Sequence, residues 1–222
     1  SIFGFLVARE AYATAILAPL FIIMSLSYGT AVYYLIVRII SRFFHFHVPE
    51  EVIVNLKNLT MYFLFANIYF LGLYHVTNLY IAKHINFELF ILTSGGIYTY
   101  VFWVGQVLIG LIVPLFLIMT KKVNNLLALK YASILILLGS FSAMYVIIIG
   151  GQAFPLTIFP DHIILNSTFY DNVVHQYYPS VFEFILGIGG VALALIIVLV
   201  GIANFKFLPT MISSPNRHAE KK

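Results

Sequence analysis

The chain has 222 residues, of which 62% are hydrophobic and only 9% charged. Soluble domains carry roughly 25% charged residues and could not bury this much apolar side chain, so lipid is the solvent for most of the surface. The net charge of +4 comes from basic residues that flank apolar runs instead of clustering with aromatics, which points to topology determinants and away from a nucleic-acid partner. Cysteine is absent, which excludes disulfides, thiolate zinc sites and any iron–sulfur cluster held by this chain alone.

The expected fold class is all-α: a polytopic transmembrane bundle of about five spans, with the N-terminus outside and the C-terminus cytoplasmic, in a cell (plasma) membrane. Spans are expected near residues 11–44, 52–81, 97–119, 125–149 and 180–203, each long enough to cross about 30 Å of hydrocarbon. Together they make residues 1–208 one bundle with an outer loop at 150–179, followed by a cytoplasmic tail at 209–222. The chain opens on Ser1 inside an apolar stretch (Ile2 to Ala8), which reads as a processed start or a fragment of a longer polypeptide.

The breaks between spans have local causes. Val48-Pro49 ends the first span, because a residue before proline avoids the helical region. Gly95-Gly96 separates a short amphipathic piece, Phe87 to Leu92, from the third span, and Gly150-Gly151 is expected to stop the fourth. Ser180 and Glu183 read as a capping box opening the last. Pro19 and Pro114 fall within helical stretches and are expected to kink them.

Orientation follows from charge. Arg38, Arg42, Lys57, Lys121, Lys122, Lys130, Lys206, Arg217, Lys221 and Lys222 fall on one side, against Arg9 and Lys83 on the other. The positive-inside rule puts the richer side in the cytoplasm.

Polar groups at membrane depth cost free energy and need a partner or a use. In the second span Thr60, Asn67, Tyr74 and Asn78 fall within about 40° of one another at 100° per residue, with His75 beside them. The stripe reads either as interhelical hydrogen bonding or as a quinone headgroup contact with a hydrated proton route. Of the seven histidines, His75 alone sits clearly inside a span, so a bis-histidine haem within the chain is not expected. Gln152, Asp161, His162 and Glu183 belong to one outer layer. They read as capping and loop residues, or as a proton-accepting or docking surface. Gly187, Gly190, Ala194 and Gly201 form a small-residue packing stripe, and no strand precedes any glycine, so nucleotide-binding motifs fail their context.

The run Met144 to Gln152, continued by Ala153-Phe-Pro-Leu and Phe159-Pro160, resembles the end of a core helix in the NrfD/polysulfide reductase membrane-subunit family, which includes the hydrogenase-2 membrane subunit. Tyr178-Pro-Ser-Val-Phe-Glu183 with its glycine-rich helix resembles that family's last span, and Phe102-Trp103, Gly105, Gly110 and Pro114 resemble an earlier one. The resemblance, to the family's C-terminal half, implies a membrane anchor of a respiratory redox complex. Such an anchor holds no cofactor of its own and exchanges electrons between a quinone or quinol (menaquinone-type or other) and a ferredoxin-like iron–sulfur subunit on the outer face. That partner in turn serves a molybdopterin enzyme or a nickel–iron hydrogenase. Candidate quinone or proton residues are His75, Asn67, Tyr74, Gln152, Asp161 and His162; no catalytic residue and no metal ligand is assigned. Two positions depart from the family pattern: Met144 stands where an arginine is frequent, and Gln106 where some members have a carboxylate. A neutral amide cannot relay protons as a carboxylate does. The alternatives are a purely structural anchor, or a transporter, which would be expected to show repeats and midplane charges.

Overall fold

The computed structural model describes residues 10–43, 48–120, 125–155, 174 and 177–204. Among the described residues five helices are long and apolar enough to cross a membrane: α1 (Leu17–Phe43), α2 (Glu50–Tyr80), α4 (Ile97–Met119), α5 (Asn125–Ala153) and α6 (Val181–Asn204). A short helix α3 (Ile85–Leu89) lies between α2 and α4. The protein is thus a multi-pass, all-α membrane protein. It divides into two compact units, Ser1–Gln176 and Tyr177–Lys222; the first carries α1 to α5 and the second α6.

Three expectations about helix ends change. Helix α1 begins at Leu17, not near Ala11, so Pro19 stands in its first turn. There the missing N–H costs nothing and the fixed φ favours the helix, so Pro19 starts the helix and does not kink it. Helix α5 passes through Gly150 and Gly151 with ordinary helical φ of −60° and −65°, and ends at Ala153. The stop is set by Pro155: Phe154 before it is extended, with φ −67° and ψ 130°. The glycines serve close approach instead, since a Cβ on Gly151 would stand 2.9 Å from the Tyr12 hydroxyl. Pro114 follows a π-helical stretch, Val101–Ile112, where the Val113 N–H reaches the Leu108 carbonyl. The wider turn accommodates a residue that lacks a donor and crowds the preceding carbonyl.

Two sequence signals behave as read. Gly96 takes φ +58° between the short segment and α4, a conformation that strains any residue with a side chain. At the start of α6 the Glu183 carboxylate accepts from the Ser180 N–H at 2.9 Å, and the Ser180 hydroxyl accepts from the Glu183 N–H at 3.3 Å. The Tyr177 hydroxyl adds a third bond to the same carboxylate at 2.6 Å.

Within the first unit, α1 and α2 pack antiparallel and α5 lies against α1 and α4. Backbone contact is closest where α4 crosses α5: a Cβ on Gly110 would stand 2.7 Å from the Gly139 Cα. Side chains tie the helix ends. Tyr34 donates to the Leu126 carbonyl at 2.8 Å, and Lys57 donates to Asn125 Oδ1 at 2.7 Å. At the opposite end the Tyr12 hydroxyl lies 3.1 Å from the carbonyls of Ile147 and Ile148. Those carbonyls belong to a π-helical stretch, Tyr145–Gly150, whose wide turns expose acceptors that a neighbour then satisfies.

Candidate functional site

The polar stripe of α2 is buried as its periodicity implied: Thr60, Asn67, Tyr74 and Asn78 are all closed off from solvent. Two of its members serve packing. The Tyr74 hydroxyl donates to the Ala11 carbonyl at 3.0 Å, fixing the segment before α1. Asn67 pairs with Tyr28 of α1 and leaves its Nδ2 without a partner. The chemistry lies at the α2 end nearest α3.

After α2 the chain turns at Ile81, makes one 3₁₀ turn over Ala82–His84 and enters α3, which a π turn over Phe90–Ser94 extends. His84, Phe87, Glu88 and Ile91 are buried, while Lys83, Asn86 and Leu89 are exposed. Spacings of three and four put the buried four on one face, turned toward α2. The segment is locked to α4 from the other side. The Trp103 indole donates to the Leu92 carbonyl at 3.0 Å, and the Thr99 hydroxyl to the Phe90 carbonyl at 3.1 Å.

This packing inserts a carboxylate into the bundle. Glu88 is fully buried, and its Oε1 pairs with Nδ1 of His75. Its Oε2 accepts from Asn78 Nδ2 at 3.2 Å. The other end of that amide, Oδ1, lies 3.3 Å from His84 Nδ1. An amide oxygen only accepts, so the His84 proton is on Nδ1. Outside the spans, burial and the neighbouring Lys83 hold His84 below the usual histidine range, against the opposing pull of Glu88. Burial likewise holds Glu10 above the usual carboxylate range, partly offset by Lys83.

His75 Nε2 is buried and has no hydrogen-bond partner. The imidazole forms part of the wall of a cavity between α1, α2, α3, α4 and α5, with Tyr74, Phe87, Phe102, Gln106 and Val146. Phe102 meets the imidazole edge-on, with ring centroids 4.8 Å apart. The free core of this cavity is on the scale of a water molecule, so a ring enters it by displacing side chains or seats at its mouth. With its proton on Nδ1 facing Glu88, the imidazole presents a lone pair at Nε2. With a second proton taken up by the pair and the one between Nδ1 and Glu88 kept, it presents an N–H at Nε2 instead. The pair can therefore accept a proton from a hydroxyl or donate one to a carbonyl at the same atom.

The candidates read from sequence divide accordingly. His75 and Tyr74 form cavity wall, and Asn67 lies further along α2 in a separate packing contact. Gln152 is exposed near the end of α5 and is not among the wall residues. Asp161 and His162 lie outside the described residues. Glu88 and His84 were missed, although His84-x-x-Phe87-Glu88-x-x-Ile91 carries a helical burial period with ionisable residues at two of its four positions. Among the described residues no group of three or more His, Asp or Glu is arranged to hold a metal ion.

Residues 1–156 match the family described as polysulphide reductase, NrfD. That range includes Phe102 to Pro114 and Met144 to Gln152 but not the Tyr178 to Glu183 segment. The chain is also 26% identical over 213 residues to the Hdr-like menaquinol oxidoreductase integral membrane subunit of Archaeoglobus fulgidus. The alignment covers 94% of this chain and 53% of that protein, so the chain spans about half the length of the curated relative it matches. No solved structure matches.

Proposed function

The chain belongs to the polysulphide reductase, NrfD, family, and we propose that it is a membrane subunit of a redox complex that exchanges electrons between a quinone pool and a peripheral iron–sulfur subunit. One observation carries the reading: a partly buried histidine, backed by a fully buried carboxylate, offers a buried, unpartnered ring nitrogen to an aromatic-walled cavity. Quinone chemistry couples electrons to protons on ring oxygens, and a carboxylate–histidine pair is suited to taking or giving those protons in a low-dielectric site. Phe102, Phe87 and Val146 supply apolar contacts, and Gln106 a polar group on the same wall. The similarity to a menaquinol oxidoreductase subunit favours a menaquinone-type ligand.

In this reading His75 contacts the quinone oxygen, Glu88 fixes the imidazole and shares its proton, and Asn78 holds the carboxylate. The residues present fit the group: an orphaned buried nitrogen and aromatic walls are what a headgroup requires. The orientation proposed is N-terminus outside, with the 82–94 segment at the outer face and the Arg38, Arg42 and Lys57 end in the cytoplasm. The iron–sulfur partner docks on the outer face and hands electrons to a molybdopterin or nickel–iron enzyme.

The test is quinol-dependent electron transfer in the isolated complex carrying His75→Gln. A fall of about 100-fold with intact assembly supports the reading, in line with the usual contribution of general acid–base groups. Native turnover would leave the chain as a structural anchor.

A further inference from the structure

Protons exchanged at a buried quinone site must reach water on one side of the membrane. The reading above leaves that side open, and the following inference rests on it. We propose that Asn78 and His84 form the proton outlet of the His75–Glu88 pair, opening at the face that carries Lys83 rather than at the opposite, basic face.

The polar chain runs one way. From His75 it passes to Glu88, through the Asn78 amide at 3.2 Å and on to His84 at 3.3 Å. His84 lies just past the end of α2, and its neighbours Ala82, Lys83 and Asn86 are exposed. Toward the basic face, among the described residues, the corresponding groups are not joined to His75. The Thr60 hydroxyl bonds back to the Leu56 carbonyl at 2.8 Å, while Asn67 Nδ2 and Ser133 Oγ have no partner.

An amide does not itself pass a proton along. Asn78 holds Glu88 and His84 at either end of one group, so in this proposal a bridging water carries the proton between them. Charge supplies the direction. The groups acting on His84 are Lys83 on its own turn and Glu88 from α3, with Glu10 coupled in turn to Lys83. The Glu88 carboxylate favours protonated His84, so a proton arriving at Glu88 loosens the one on His84. Oxidation of one quinol breaks two O–H bonds. Its two electrons go to the iron–sulfur partner and its two protons leave in turn through Glu88 and His84; reduction runs the same path inward.

The experiment uses the whole complex in sealed vesicles of both orientations, with His84→Asn and His84→Ala variants. Asparagine can keep an N–H toward Asn78 but cannot carry a proton. Both variants are expected to lower steady-state quinol oxidation about tenfold or more while a single turnover stays fast. Imidazole should restore His84→Ala when added on the Lys83 face and not when added on the other. Steady-state turnover of His84→Asn at the native rate with an unchanged pH profile would overturn the outlet, as would rescue from the basic face. His75→Gln separates the two claims. If it abolishes turnover while His84 variants are native, the outlet alone fails; if it too is native, the quinone reading fails with it.

Discussion

The Glu88 carboxylate meets the His75 imidazole across two helices, thirteen residues apart in sequence, and is fully buried where they meet. An ionisable pair in such a position costs desolvation free energy that a well-packed apolar pair would avoid. Removing one partner should therefore cost more than removing both. Glu88→Gln should cut quinol turnover about 100-fold. Glu88→Leu should also lower the melting temperature of the complex, and the double variant with His75→Leu should recover part of that loss. Thermal unfolding of the three purified variants checks the order.

Stability should depend on pH through His84. Burial and Lys83 hold its folded pKa below the unfolded value of about 6.5, so the unfolded chain binds the proton first as pH falls. The contribution is complete above about 6.5 and is lost as pH drops from there toward the folded pKa. Glu10 has the opposite sign: its raised folded pKa stabilises below about 4.5 and the benefit fades as pH rises through it. Melting curves of His84→Asn should show a flatter profile between about pH 7 and 5 than the native protein.

The α4–α5 crossing should tolerate no side chain. Gly110→Ala and Gly139→Ala each place a Cβ against backbone, which does not rotate away. Each should destabilise by about 1–3 kcal/mol, the usual range for overpacking. Gly72→Ala, where a Cβ meets nothing within 4 Å of the described structure, is the control and should be neutral. Detergent melting temperatures separate these.

The chain has no cysteine, so single cysteines report topology without background. Lys83→Cys should react with a membrane-impermeant maleimide added outside intact cells. Arg42→Cys should react only after permeabilisation. The reverse pattern would invert the orientation that the charge asymmetry implies.

Much of the scaffold was legible because it follows from local rules. Apolar run length set the five spans, the Ser180–Glu183 pair set the start of α6, and the 3.6-residue period of α2 named a stripe that proved buried. The errors came where packing overrides local signals. Gly150 and Gly151 read as a stop but lie inside α5, because their lack of a side chain serves contact, of Gly150 with Ile91 and Tyr98 and of Gly151 with Tyr12, and the proline at 155 does the stopping. Glu88 read only as part of a short amphipathic piece, since a five-residue helix is too short for periodicity to say which face turns inward. Only the chain reversal between α2 and α4 shows that its charged position faces His75. The carboxylate absent at Gln106 thus reaches the cavity region from an element that no span-by-span reading would search.

The most direct test of the central claim is menaquinol-dependent electron transfer to the iron–sulfur partner by an assembled complex bearing His75→Gln. A rate reduced about 100-fold, with partner subunits retained and the partner still reducible by a soluble donor, is the result predicted here. A rate equal to the native complex would contradict it and place the quinone reaction elsewhere.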